Sequence, residues 1–262
     1  MVSKNLQKKI IQLKQKKYRS KFGLFVAEGQ KVVNELLNSL IECEYLFSIK
    51  NISHPKAFKV TASEMKKLSH LKNHSSILGV FKIPDIKLNN QNKLTIILDG
   101  VSDPGNLGTI IRLCDWFGLD QLICSSNTVD CFNPKTIQSS MGSIARVSCH
   151  YISDLLSYIN LINKPTYKAE INGTSIYKNQ LPEYGTYIFG SESHGISEEL
   201  TKKIKNQIGI PNFKKNNRAE SLNVATSVAI FFSEISLLSI CTAQISFFLK
   251  LLLLSSITIS PL

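Results

Sequence analysis

Apolar and polar positions along this chain fall into two rhythms. Leu94-Thr95-Ile96-Ile97-Leu98 is a short apolar, β-branched run, the pattern of a buried strand. Five turn residues follow, Ser102-Asp103-Pro104-Gly105-Asn106. Apolar residues then recur at 107, 110, 111, 113, 114 and 117, a helical spacing. The unit is strand, loop, helix, with Asn106 at the helix entrance as its candidate cap and Arg112 one to two turns inside, among apolar neighbours. Loops at the carboxyl ends of buried strands are where open α/β sheets bind ligands.

The same alternation runs through the rest of the chain. Before residue 82, strands are predicted at Leu24–Ala27, Tyr45–Ile49, Ala57–Val60 and Ser76–Lys82. Helices are predicted around Leu6–Lys17, at Gln30–Leu40 and at Glu64–Leu68, the last capped by Thr61 or Ser63. The polar, aperiodic Lys87–Lys93 reads as a linker. After it come strands at Gln121–Cys124, Val147–Tyr151, Thr166–Ile171, Tyr187–Phe189 and Ile208–Ile210. Helices are expected from Asn133 to Gln138, from Asp154 to Leu161 behind a Ser153 cap, from Ser197, and from a Ser221 cap to about Ile235. Strands separated by helices of this length predict an α/β fold with a mostly parallel sheet. The division expected is 1–88, a small α/β domain, 93–240, a second α/β domain, and 241–262, an apolar extension.

Composition adds a partner. The net charge is +12 and the pI about 9.4, which favours a polyanion: nucleic acid or an anionic membrane surface. Eight cations precede Glu28, and Lys8, Lys9, Lys16, Lys17 and Arg19 read as phosphate contacts. Six cysteines, at 43, 114, 124, 131, 149 and 241, have no metal-ligand spacing, and the five histidines form no cluster. No metal is expected, and the cysteines read as reduced residues of a cytoplasmic protein. There is no apolar signal region; the lysine-rich start leaves a mitochondrial presequence as an alternative. The uncharged run Ile235–Leu249 is 15 residues, short of the ~20 that span a bilayer, and Lys250 interrupts it, so no membrane span is expected.

Two more stretches carry chemistry. Tyr187-Ile188-Phe189-Gly190-Ser191-Glu192 ends a strand in a glycine, which lets a flat ligand approach, followed by a carboxylate. Ile208-Gly209-Ile210-Pro211 leads through a basic loop, with Lys214, Lys215 and Arg218, to Ser221-Leu222-Asn223-Val224. No Gly-x-Gly-x-x-Gly follows a strand, and neither a Walker loop nor a nucleophile elbow is present.

Together these stretches resemble the SpoU/TrmH family of RNA 2′-O-ribose methyltransferases, in the SPOUT superfamily. Asp103-Pro104-Gly105-Asn106-Leu107-Gly108-Thr109-Ile110-Ile111-Arg112 is similar to its first motif, Phe189-Gly190-Ser191-Glu192 to its second, and Ile210-Pro211 with Ser221-Leu222-Asn223-Val224 to its third. Ser140-Met141-Gly142-Ser143 and Phe25-Val26-Ala27-Glu28-Gly29 also match family segments, and the likeness covers residues 5 to 238. It implies a ribosomal-protein-like N-terminal domain that binds RNA, and a C-terminal domain with a deep trefoil knot that binds S-adenosylmethionine. It also implies a homodimer with its active site at the subunit interface. The matching positions put Gly190, Ile210 and Leu222 against the cofactor and make Asn106, Arg112, Glu192, Ser221 and Asn223 the catalytic set. In the family the residue matching Arg112 is a proposed base. A guanidinium ordinarily keeps its proton, so the residues alone give Arg112 a phosphate or ribose oxygen to hold, with Glu192 as base or orienting group. The expected substrate is ribosomal RNA; transfer RNA methylation, non-catalytic RNA binding and a membrane-surface protein using the basic helix and apolar tail are the alternatives. The sequence departs from the family at Ala225, in the more basic loop from Asn212 to Glu220, and in the extension.

Overall fold

A computed structural model describes residues 2–71, 73–178, 181–213 and 221–236. The basic-loop residues Lys214, Lys215 and Arg218 and the 241–262 extension lie outside the described residues. Helices α1 (Lys4–Gln12) and α2 (Lys16–Phe22) open the chain. Next come β1 (Leu24–Glu28), α3 (Gln30–Leu37), β2 (Cys43–Ser48), β3 (Ala57–Lys59), α4 (Ala62–Leu68) and β4 (Ile77–Lys82). The second series is β5 (Leu94–Asp99), α5 (Pro104–Trp116), β6 (Gln121–Ser125), α6 (Pro134–Ser140), β7 (Ser148–Ile152) and α7 (Leu155–Ile162). It continues with β8 (Thr166–Ser175), β9 (Gly185–Gly190), α8 (Glu198–Lys203), β10 (Asn206–Gly209) and a helix over 224–236, here α9.

The single basic helix expected at the start is two helices. Leu13 closes α1 and Gln15 precedes α2, so the lysines fall on two short segments instead of one face. Thr61, not Ser63, caps α4, because the Thr61 and Glu64 side chains bond each other's backbone reciprocally. Asp154, not Ser153, caps α7 by accepting from the Ser157 N–H.

Strands β1 to β4 form one sheet in the order β1-β4-β2-β3; β4 runs antiparallel to both neighbours and β2–β3 is parallel. The other six form a wholly parallel sheet, β10-β8-β9-β5-β6-β7. Its central strands are apolar at nearly every position because both faces are covered. Ile96, Leu98, Leu122, Cys124, Tyr187 and Phe189 face the large core with α5 and α9, while Ile97, Ile123 and Ile188 face α7 and α8.

The large core does not stop at the sheet boundary. Phe25, Ala27, Leu46 and Phe81 of the first sheet belong to it, and Phe25 packs on Phe132 with ring centroids 4.8 Å apart. Charge ties the same seam. Arg19 is 2% exposed and pairs with Asp130, 111 residues away. Its guanidinium also donates to the Leu13 and Lys14 carbonyls just past α1, each at 2.8 Å. Arg146 bridges Asp115 and Glu35 across the seam. Arg19, expected among the phosphate contacts, is therefore a buried tether; a guanidinium already satisfied by a carboxylate and two carbonyls has little left for RNA.

Candidate active site

The site forms where β5 and β9 end side by side, with Asp99 in register with Gly190. Asp99 is buried and accepts from the Ser197 N–H at 2.7 Å, tying the β5 end to the start of α8. After Gly100 the chain turns into α5. The cap of that helix is Asp103, whose Oδ1 accepts from the Asn106 N–H at 2.9 Å, with Pro104 in the first turn. Lys135 Nζ sits 3.0 Å from Asp103 Oδ2 and holds that carboxyl below the usual carboxylate range.

Because Asp103 does the capping, the Asn106 side chain is free to face the second strand's loop. Its Nδ2 donates to Glu192 Oε1 at 2.6 Å, and its Oδ1 accepts from Asn223 Nδ2 at 3.0 Å. Asn223 Oδ1 in turn accepts from the Ala225 N–H at 2.9 Å, so Asn223, not Ser221, caps α9. The direction of this chain is fixed at both ends. A helix N-terminus only donates and an ionised carboxylate only accepts, so each amide between them has one workable orientation. Three of the five residues matched to the catalytic set, from segments 86 and 117 residues apart, thus form one hydrogen-bonded line.

The other two stand apart from it. Ser221 is exposed. Arg112 is exposed and makes no hydrogen bond or ion pair with a described residue. It lies six positions beyond Asn106, about 120° around the helix. It therefore shares a stripe with Thr109 and Trp116, both exposed, and not with Asn106. Arg112 was expected among apolar neighbours; those neighbours face the core, and the helix turns Arg112 away from them.

The Gly190 region also differs in its cause. A Cβ there would lie 2.1 Å from the Gly195 carbonyl carbon and 2.3 Å from the Ile196 nitrogen. The chain's own tight loop fills the space expected for a flat ligand. Ser191 and Gly195 exchange backbone hydrogen bonds at 2.9 and 3.0 Å, and His194 is an exposed member of this turn. That fold-back sets the direction in which Glu192 leaves the strand. Ile210, half-buried, follows β10, and Leu222, 51% exposed, precedes the α9 cap.

Of the expected phosphate contacts, Lys8, Lys16 and Lys17 are exposed and Lys9 is half-buried. Lys9 lies 5.1 Å over the Phe22 ring, Lys17 4.9 Å over Tyr18, and Lys16 5.4 Å over Tyr151 of β7. Sequence reading missed Asp103, Lys135 and Asp99. Asp103 before Pro104 is itself a helix-start signal that could have displaced Asn106 from the capping role.

Comparison with known proteins places this geometry. Residues 93–233 match the SpoU rRNA Methylase family, and residues 5–79 match the MRM3-like substrate binding domain. The chain belongs to the SpoU rRNA methylase family. Among the relatives of this SpoU chain is the 23S rRNA (guanosine(2553)-2′-O)-methyltransferase RlmP of Bacillus subtilis, 29% identical over 228 residues, which covers 82% of this chain and 89% of the relative. A protein of Porphyromonas gingivalis assigned to the TrmH family of RNA methyltransferases has a structure matching with TM-score 0.80 at 34% identity, over 90% of this chain and 98% of the other. An AdoMet-bound rRNA methyltransferase from Sinorhizobium meliloti matches with TM-score 0.76 at 25% identity, over 90% and 96%. Together with the parallel sheet and the small N-terminal sheet, these SpoU relatives establish the α/β methyltransferase fold.

Proposed function

We propose that this SpoU-family protein transfers a methyl group from S-adenosylmethionine to a ribose 2′-hydroxyl of ribosomal RNA, acting as a homodimer. The observation that carries the reading is the Glu192–Asn106–Asn223 line at the joined ends of β5 and β9. RlmP, matched over most of its length, favours ribosomal RNA as the substrate class.

The lining suits the cofactor. Gly190 and Ile210 stand at strand ends and Leu222 at a helix start; because the Gly195–Ile196 turn fills the Cβ side of Gly190, that residue offers backbone groups only, and the exposed Leu222 offers an apolar surface. These three residues would hold it. When bound, it supplies an electrophilic methyl group on a sulfonium. The chain's own part is to prepare the hydroxyl. Glu192 takes its proton, with the carboxylate aimed by the Asn106 amide. Arg112 holds a phosphate or the ribose oxygen through its planar fork.

Dimerisation explains why Arg112 points away from that line. Trp116, the chain's single tryptophan, is 81% exposed on the same stripe of α5. Beside it Phe117 packs on Phe232 of α9, ring centroids 5.2 Å apart. In the proposed dimer Trp116 lies in the contact and loses that exposure, as aromatic side chains in interface cores do. In this reading Arg112 serves the site across that interface. The reading includes a trefoil knot around β8–β10, supported by the return of α9 from the sheet edge onto Tyr187 and Phe189 through Phe231. It also places the protein in the cytoplasm, in keeping with the described cysteines, all free thiols. Incubating the full-length protein with labelled S-adenosylmethionine and unmethylated ribosomal RNA, then digesting to nucleosides, tests it. A 2′-O-methylnucleoside is expected; label on a base, or none, would reject it.

A further inference from the structure

The seam between the two sheets holds a cleft of about 260 Å³ that the methyl-transfer reading does not use. Its walls come from both halves of the chain: Lys14 from the α1–α2 turn, His70 and Leu71 after α4, and Pro134, Lys135 and Gln138 from α6. At about 30 Å³ per water, this is room for roughly nine heavy atoms, the size of one nucleobase. Its chemistry has two zones. Lys14 and Lys135 are exposed cations, suited to a phosphodiester. Leu71 and Pro134 are apolar, and beside them the half-buried Gln138 amide bonds no described residue. His70 lines the wall with both ring nitrogens turned from the opening. Its Nε2 lies 2.9 Å from the Ile10 carbonyl, which places the proton there, and its Nδ1 is buried without a partner among the described residues.

We propose that this cleft takes one unstacked nucleotide of the substrate RNA, outside the nucleotide that is methylated. Gln138 addresses the edge of the base, Leu71 and Pro134 its face, and Lys14 and Lys135 its phosphate. Single-stranded RNA is recognised in this way, by bases splayed out of the stack and read on their hydrogen-bonding edges. The position is tied to the active site on one side, because Lys135 also holds Asp103, the cap of the helix that carries Asn106. It is tied to the N-terminal half on the other, because the Arg19–Asp130 pair and Lys16 over Tyr151 fix α2 on the second sheet. A nucleotide seated here sets the register of the strand entering the site. The inference rests on the proposed RNA methylation.

The test uses the full chain, a short single-stranded RNA, and an abasic ribose-phosphate oligomer of the same length, with affinity read by fluorescence anisotropy. The wild type should prefer the base-bearing oligomer by about tenfold, in the range of a base contact of ~1–3 kcal/mol. Gln138→Leu should lose most of that preference. Lys14→Gln should weaken both oligomers alike and reduce the salt slope by about one. Retained preference in Gln138→Leu overturns the proposal, as does an effect of Lys14→Gln with none of Gln138→Leu, which would make this a phosphate contact only. Steady-state methylation separates this failure from that of the function. Gln138→Leu should raise the KM for RNA with little change in kcat. A wild type that methylates RNA beside a Gln138→Leu variant with unchanged KM rejects the cleft alone; a wild type that transfers no methyl rejects the underlying reading.

Discussion

Asn106 and Glu192, 86 residues apart, meet at 2.6 Å because Asp103 has taken over the capping of α5. The amide is thereby released to aim a carboxylate. Replacing Asn106 with Leu should keep the helix, since Asp103 still caps it, and lower methyl transfer by a factor on the order of a hundred. Cofactor affinity by calorimetry should hold. Unchanged turnover would reduce the bond to a structural contact.

Asn223 has two jobs that substitution can separate. It caps α9 through Oδ1 and bridges to Asn106 through Nδ2. Asn223→Ser keeps a competent cap and removes the bridge, so stability should stay within about 0.5 kcal/mol while turnover drops. Asn223→Ala should in addition cost about 1 kcal/mol in urea unfolding. Full activity in the serine variant would leave Asn223 with the cap alone.

The Arg19–Asp130 pair is a stability device at the seam. The two side chains are 3% and 14% exposed. Arg19→Met leaves a carboxylate largely buried and unpaired, which should cost about 3–5 kcal/mol. Arg19→Met with Asp130→Leu should recover a good part of that. The salt dependence of RNA binding should not change in either variant, in contrast to Lys8→Ala with Lys17→Ala. A flattened salt slope in a stably folded Arg19 variant would return Arg19 to the RNA surface.

His70 gives the seam an acid response. Burial pushes its imidazole down to about 4 from an ordinary value of 6.5. A lowered folded value means that the unfolded chain takes up the proton first. The stability is complete above pH 6.5 and is lost as pH falls towards 4, by about 3 kcal/mol at most. Lys14 and Arg19 act in the same direction. Glu28, which accepts from the His70 N–H, is pushed up by its own burial and gains stability as pH falls, so it offsets part of the loss. Urea unfolding at pH 7 and pH 4.5 should show a smaller difference for His70→Gln than for wild type. Equal differences would show that His70 is not the titrating group.

Much of this fold was legible from periodicity. The apolar runs of β5, β6 and β9 survive as strands because both faces of a parallel sheet are covered. The polar triad was legible as a set of residue types, and its assembly needed the structure. Asp103 and Asn106 are both good caps, and so are Ser221 and Asn223; spacing alone does not choose between them, whereas backbone geometry does. Arg19 misled for a different reason. It sits in a run of cations, and its carboxylate partner lies 111 residues away. The seam is hidden in the same way, since Phe25 and Phe132 each read locally as ordinary apolar positions.

Trp116 offers a direct view of dimerisation, as the chain's one tryptophan. Its emission should shift to the blue as protein concentration rises, and Trp116→Arg should give a monomer by light scattering. Methyl transfer should fall with it. An emission unchanged across the dimer transition would move the interface elsewhere.

Single-turnover methylation by Arg112→Lys, at saturating cofactor and RNA, decides whether Arg112 acts in the chemistry beside the Glu192–Asn106–Asn223 line. If Arg112 were only a solvated helix residue, lysine would be nearly silent, since charge and helix propensity are kept. If it grips a phosphate or the ribose oxygen bidentately, lysine is not a conservative change. The rate should then fall by a factor on the order of a hundred, with cofactor affinity unchanged. A near-normal rate would contradict that role, removing Arg112 from the catalytic set and leaving Glu192 and its amide line to carry the chemistry.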